Sequence, residues 1–156
     1  MIDKKQLCKF LVQAKKSTYA AGDQIKKVIK KDKSTTLTFK QGDWEYHDNY
    51  FGGEPFGGRE VVFFKSQPVY IMVYYGWVVE SIKNFDKVYK MLQSALLEIP
   101  ENKPYRGPEE LSKGNYTYKN SFAGEIDNFS GEEFILENGH EVYRAKYMGG
   151  LVDQRK

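Results

Sequence analysis

The sequence predicts an α+β fold of two units, each a helix followed by an antiparallel meander, related by a pseudo-two-fold axis. Three observations predict it. First, residues 42–79 and 114–152 share an ordered pattern. Gly42, Tyr46 and Gly52 match Gly114, Tyr118 and Gly124 at an offset of 72. Phe56, Gly58, Glu60, Val69, Tyr70, Tyr74 and Gly76 match Phe129, Gly131, Glu133, Val142, Tyr143, Tyr147 and Gly149 at an offset of 73. Second, the positions between keep their chemistry: Asp43/Asn115, Trp44/Tyr116, Asp48/Asn120 and Tyr50/Phe122. Third, an apolar stripe at helical spacing precedes each copy, and each copy alternates as strands do. A period this long exceeds the ~20–50 residues of solenoid repeats, so it describes half-domains. The expectation is a single domain over residues 1–156, with half-repeats at about 1–80 and 84–152.

Asp3 reads as an N-cap, with Gln6 in the capping-box position. Leu7, Phe10, Leu11 and Ala14 then share one helical face, and the helix should end near Lys16. Residues 17–22 read as a turn, with Gly22 free to take a positive φ. Residues 35–41 alternate as a strand, Gln41-Gly42-Asp43 makes a tight hairpin, and residues 44–51 form the next strand. Its Trp44, Tyr46, Asp48 and Tyr50 share one face. Residues 52–58 read as a glycine-rich loop between strands, and 59–65 and 69–79 as two buried strands around Ser66-Gln67-Pro68.

Asn84 should cap a second helix with Phe85, Val88, Leu92, Ala95, Leu96 and Ile99 on its apolar stripe. Pro100, Pro104 and Pro108 break up the linker that follows. The strands then return at 115–123, 132–137 and 141–152, with Asn138-Gly139 as a type I′ turn. Glu110-Leu111 is the one candidate partner for strand 35–41. The two meanders should join edge to edge or pack face to face.

Composition narrows the function classes. A chain of 156 residues can bury a core without staples, and its aromatic fraction of 15% excludes disorder. The net charge of +3 gives few phosphate contacts and no strong nucleic-acid signal. Lys26, Lys27, Lys30, Lys31 and Lys33 cluster as a solvated helix end or loop, or as a patch for phosphate. The lone Cys8 suits a reducing compartment and a buried apolar role. With no signal-peptide core after Met1 and no apolar run long enough for a membrane, the expected location is the cytoplasm.

Few residues invite chemistry. The loop at 52–58 lacks the Gly-Lys-Ser/Thr of a phosphate loop and does not open a helix. His47 and His140 do not correspond in the two copies, and no spacing suggests a metal or a cofactor. Asp48 among Trp44, Tyr46 and Tyr50 is the best acid–base candidate, since desolvation raises a carboxyl pKa. Its counterpart Asn120 cannot titrate, which favours hydrogen bonds to backbone or tyrosine hydroxyls. Glu60 and Glu133, one per copy, either serve a binding site or satisfy neighbouring loop N–H groups. Tyr105-Arg106, in the proline-rich linker, either ties that linker down or binds an anion bidentately.

Ser17-Thr18-Tyr19-Ala20, Tyr50-Phe51-Gly52, Phe56-Gly57-Gly58-Arg59-Glu60, Pro104-Tyr105-Arg106-Gly107-Pro108 and Tyr147-Met148-Gly149-Gly150-Leu151-Val152 resemble a bacterial family of unknown function. Its members occur alone or behind helix-turn-helix domains of the Xre type. The resemblance covers nearly the whole chain. It implies a sensing role and carries over no catalytic residue.

The leading expectation is therefore a small-molecule or partner-binding module with an aromatic-lined site. Its candidate ligand residues are Tyr46, Asp48, Tyr50, Glu60, Tyr74, Tyr105, Arg106 and Glu133, for a planar, weakly anionic ligand. The alternatives are an enzyme using the carboxylates and Arg106, or a structural protein whose aromatic surface makes a homodimer.

Overall fold

The computed structural model describes residues 2–155, and all their side chains except those of residues 23 and 24. It is α+β. Helix α1 (Lys4–Ser17) leads through a 3₁₀ segment (Tyr19–Gln24) to strands β1 (Val28–Ile29), β2 (Thr35–Gln41), β3 (Trp44–Gly52), β4 (Phe56–Phe64) and β5 (Gln67–Val78). Helix α2 (Asp86–Leu97) follows, then β6 (Glu110–Lys113), β7 (Tyr116–Glu125), β8 (Asn128–Glu137) and β9 (His140–Leu151). Among the described residues nine strands form one sheet in the order β1-β2-β3-β4-β5-β9-β8-β7-β6. Every neighbouring pair is antiparallel.

The meanders thus join edge to edge, through β5 and β9, with Tyr74 opposite Tyr147. Cross-strand partners share a face, so register alone places Tyr46, Val62 and Tyr70 on the same side of the sheet as Tyr118, Ile135 and Tyr143. Both helices cover that side. Leu7, Phe10, Leu11 and Ala14 of α1 pack on Tyr46, Val62 and Tyr70, and Val88, Leu92 and Ala95 of α2 pack on Tyr118, Ile135 and Tyr143. Each fully buried Leu contributes about 1.5–3 kcal/mol of transfer free energy. The opposite face keeps Val73, Tyr75 and Met148 exposed.

Local chemistry sets the element ends. The Asp3 carboxylate accepts from the Lys5 and Gln6 amides, capping α1. Asn138 and Gly139 take φ of 50° and 80°, the pair a type I′ hairpin demands. Gly52 and Gly124 take φ of 82° and 91° at matching hairpin ends. Between the paired residues Gly52 and Phe56 lie residues 53–55, whereas 125–128 lie between Gly124 and Phe129. That extra residue is where the sequence offset changes from 72 to 73. Bulges also fall at corresponding places, Val62/Phe63 and Ile135/Leu136.

Several expectations need correction. Residues 17–22 are not a simple turn, because the 3₁₀ segment Tyr19–Gln24 occupies most of them. The lysine cluster is no helix end; it flanks the edge strand β1, where exposed lysines discourage further strand pairing. The glycine-rich loop is only residues 53–55, since Phe56–Gly58 already pair in β4. Asn84 bonds the Asp86 amide, but α2 starts only at Asp86. Glu110-Leu111 belongs to a real strand, β6, paired with β7.

Candidate functional site

The sheet face carrying β3, β4 and β5 is incompletely covered. A cavity of about 270 Å³ remains there, walled by the end of α1, the 3₁₀ segment, α2 and the linker at Tyr105-Arg106. The alternation of β3 points Tyr46, Asp48 and Tyr50 into it, and β4 and β5 add Glu60 and Tyr74. On one side Tyr89 of α2 latches to the 53–55 hairpin. Its hydroxyl donates to Glu54 Oε2 at 2.5 Å, and Glu54 Oε1 accepts from the Val78 amide at 2.7 Å.

Of the eight residues singled out in the sequence, Tyr46, Asp48, Tyr50, Glu60, Tyr74, Tyr105 and Arg106 line this one cavity. Glu133 does not; it lies behind Arg106 at zero exposure. Neither glutamate satisfies loop N–H groups, contrary to one expectation. Each neutralises a buried cation. Glu133 Oε1 accepts from Arg106 Nε at 3.1 Å and Nη2 at 2.6 Å, and Glu133 also accepts from the Tyr118 and Tyr143 hydroxyls. Burial opposes the Arg106 charge, but Glu133 together with Tyr143 and Tyr118 outweighs it and holds the guanidinium more basic than usual. Glu60 Oε2 lies 2.8 Å from Lys15 Nζ, which also donates to the Tyr105 carbonyl at 2.6 Å. Burial pulls the Lys15 ammonium below its ordinary pKa, and Glu60 offsets part of that. The contact to Oε2 lacks hydrogen-bond geometry; that oxygen and the Tyr70 hydroxyl have no hydrogen-bond partner among the described residues.

Asp48 is different. It is 4% exposed, and its Oδ1 accepts from the Tyr74 hydroxyl at 2.5 Å. Burial first, then the neighbouring Glu60 charge, pushes its carboxyl up to about 7; the Tyr74 bond, Arg106 and Lys15 pull the other way. The Tyr74 hydroxyl is in turn raised, by burial and then by Asp48. The carboxyl therefore changes charge near neutrality inside a walled cavity.

The sequence also missed residues. Thr18, Tyr19, Gln93 and above all Lys15 line the cavity. Lys15 had a signal: it continues the four-residue spacing of Leu7 and Leu11 on the apolar face of α1, where a lysine is buried only with a partner. Trp44, which the strand alternation put on the face of Tyr46 and Tyr50, packs against the core under α1 and does not line the cavity, and Tyr70, Tyr118 and Tyr143 are core residues. Among the described residues no group of three or more His, Cys, Asp or Glu is placed to hold a metal. Nor is any helix there long and apolar enough to cross a membrane.

Fold and cavity define a class: a single-sheet α+β protein with helices on one face and a buried, titratable aromatic pocket beneath them. The chain belongs to a family known as a domain of unknown function, DUF5680, which matches residues 48–152. The matched span runs from Asp48 past Glu133 and leaves Lys15, Thr18 and Tyr19 before it. No curated protein and no solved structure matches the chain.

Proposed function

We propose that this protein is a small-molecule-binding module whose site is the cavity between the β3–β5 face and α2. One observation carries the reading: Asp48, nine-tenths buried and charge-changing near neutrality, sits at the base of a walled aromatic cavity. A buried carboxyl with spare hydrogen-bonding capacity costs stability unless something uses it. At about 270 Å³ the cavity falls just under the ~300–1,000 Å³ range of ligand pockets, so the ligand is of single-ring size. The resemblance to chains joined to helix-turn-helix regulators supports a sensing role.

The halves, on this reading, arose by duplication, and only the first kept an open site. Matched hydrogen bonds support this: Tyr74 to Asp48 at 2.5 Å, and Tyr147 to Asn120 at 2.7 Å. So does an exchange of rings: Phe56 stacks at 6.4 Å on Tyr143, and Phe129 at 6.0 Å on Tyr70.

A thermal-shift screen of metabolites against the wild type and Gln93→Trp tests the pocket. Gln93 is half-buried in the cavity wall, and an indole there fills the space. Ligands that stabilise the wild type should lose their effect on the variant. Ligands that stabilise both equally bind elsewhere and contradict the reading. A second reading, acid–base catalysis by Asp48, is favoured by its pKa near 7. Turnover of a hit that stops in Asp48→Asn while its binding persists would select it.

A further inference from the structure

We propose that the occupant of this cavity is a small planar organic cation, recognised by the Asp48 carboxylate. The proposal rests on the pocket reading above and gives it a chemical class. Arg106 no longer serves as an anion clamp, which the sequence alone had allowed.

The charges decide first. Lys15 is held by Glu60 at 2.8 Å and Arg106 by Glu133 at 2.6 Å, so these four groups sum to zero. Among the described residues Asp48 is the buried acid left without a cation of its own. Its Oδ1 is engaged by Tyr74, and Oδ2 has no hydrogen-bond partner among the described residues. Glu60 Oε2 also lacks a hydrogen bond but has the Lys15 ammonium at 2.8 Å, so Asp48 Oδ2 is the cavity oxygen with neither a donor nor a counter-charge.

The second half shows what such a position holds when filled. Asn120 stands opposite Glu133 in the ladder, as Asp48 stands opposite Glu60. Its Oδ1 accepts from Tyr147, as Asp48 Oδ1 does from Tyr74. Its Nδ2 donates to the Gly107 carbonyl at 3.0 Å, while the Gly107 amide donates to the Tyr118 hydroxyl at 3.0 Å. The chain's own linker thus occupies that site and supplies the acceptor that an amide needs. Over Asp48 there is a cavity in place of the linker, and an oxygen stands where the amide nitrogen would be. The same shape now calls for a donor, and a charged one is the best match for a carboxylate.

The walls agree. Tyr46, Tyr50, Phe56 and Tyr74 line the cavity, and aromatic faces attract cations. The molecule already uses one this way, with Arg106 Cζ 5.8 Å from the Tyr74 ring centre.

Binding should follow the ionisation of Asp48. The charged and titratable groups facing it are Glu60 from β4, Tyr74 from β5, Lys15 from α1, Tyr19 from the 3₁₀ segment, Arg106 from the linker, and Tyr46 and Tyr50 on its own strand, with Tyr89 of α2 and Tyr105 of the linker also on the cavity wall. Exposed Lys27 adds a charge at the rim. A permanent cation binds the ionised form, so its affinity should rise about tenfold per pH unit below the Asp48 pKa and level off above it.

Benzamidinium, benzamide and benzoate share one shape and differ in charge. Titrating each into ¹⁵N-labelled protein at pH 5.5 and 8 gives location and affinity together. Benzamidinium should shift the amides of Ala20, Gly52 and Gly53. At pH 8 it should bind at least tenfold tighter than benzamide or benzoate, and at pH 5.5 it should weaken about thirtyfold. Asp48→Asn, which installs the amide that Asn120 carries in the second half, should erase both preferences. Tyr74→Phe removes a bond to the ionised carboxyl and should move the pH midpoint upward. Benzoate binding tightest, or Asp48→Asn keeping full benzamidinium affinity, overturns the proposal. Equal binding of all three probes at those amides removes the cation and leaves the pocket. No shift at those amides from any probe removes both. If Asp48→Asn does not fold, the wild-type charge order and the Tyr74→Phe midpoint decide.

Discussion

At the residue scale the molecule turns on one pair of positions. Asp48 and Asn120 have the same neighbours, a tyrosine donor and a cross-strand glutamate, but only Asp48 titrates. Its folded pKa, about 7, stands above that of an unfolded Asp. The native state then holds the proton more tightly than the unfolded chain. Stability should fall as pH rises from about 4 through about 7, and flatten above that. Asp48→Asn should remove this decline and cost less than about 2 kcal/mol at pH 5. Urea midpoints at pH 5 and 8 check it, and a wild-type midpoint independent of pH contradicts it. The Arg106–Glu133 pair behaves differently. Arg106→Gln or Glu133→Gln each strands a buried charge and should cost about 3–5 kcal/mol, while the double variant should cost less than their sum. A double-mutant cycle in denaturant measures this. Sequence made the Asp48–Tyr hydroxyl bond legible, because Asn at the matching site can make the same bond. It did not reveal Lys15, because a lysine late in a helix reads as solvated unless the i, i+4 spacing from Leu11 is given weight.

At the element scale, alternation and turn chemistry carried the strands, and tertiary contacts moved their ends. Phe56–Gly58 looked like loop because glycines weaken strand propensity. They are strand because large residues cross over them: a Cβ on Gly58 would meet the Tyr74 hydroxyl at 2.7 Å and the Asn49 carbonyl at 2.5 Å. Strand β1 was illegible, since two exposed residues between lysines carry no periodic signal. The crowding at Gly58 makes a prediction. Gly58→Ala should cost about 1–3 kcal/mol by overpacking. It should also push Tyr74 off Asp48 and raise the Asp48 midpoint further. Chemical denaturation together with carboxyl ¹³C shifts against pH reads both effects. A destabilised variant with an unchanged midpoint would uncouple the glycine from the site.

At the scale of the whole molecule, the α+β class and the antiparallel meanders were legible because both helices and all the long strands have clear periods. The joining of the meanders through β5 and β9 was not, since apolar β5 could equally have been a buried central strand of a separate sheet. Nor could sequence say that one half would be closed by Tyr105–Pro108 and the other left with a cavity, because that depends on where a linker lies and not on what it contains. Whether that cavity takes a ligand is open to direct observation. Crystals of the protein soaked in benzamidinium and related single-ring compounds should show density for a ring between Tyr46 and Tyr74. A nitrogen of the compound should lie within hydrogen-bond reach of Asp48 Oδ2. A cavity that stays free of every compound at saturating concentration, while the same compounds occupy other sites, would rule it out as a ligand site.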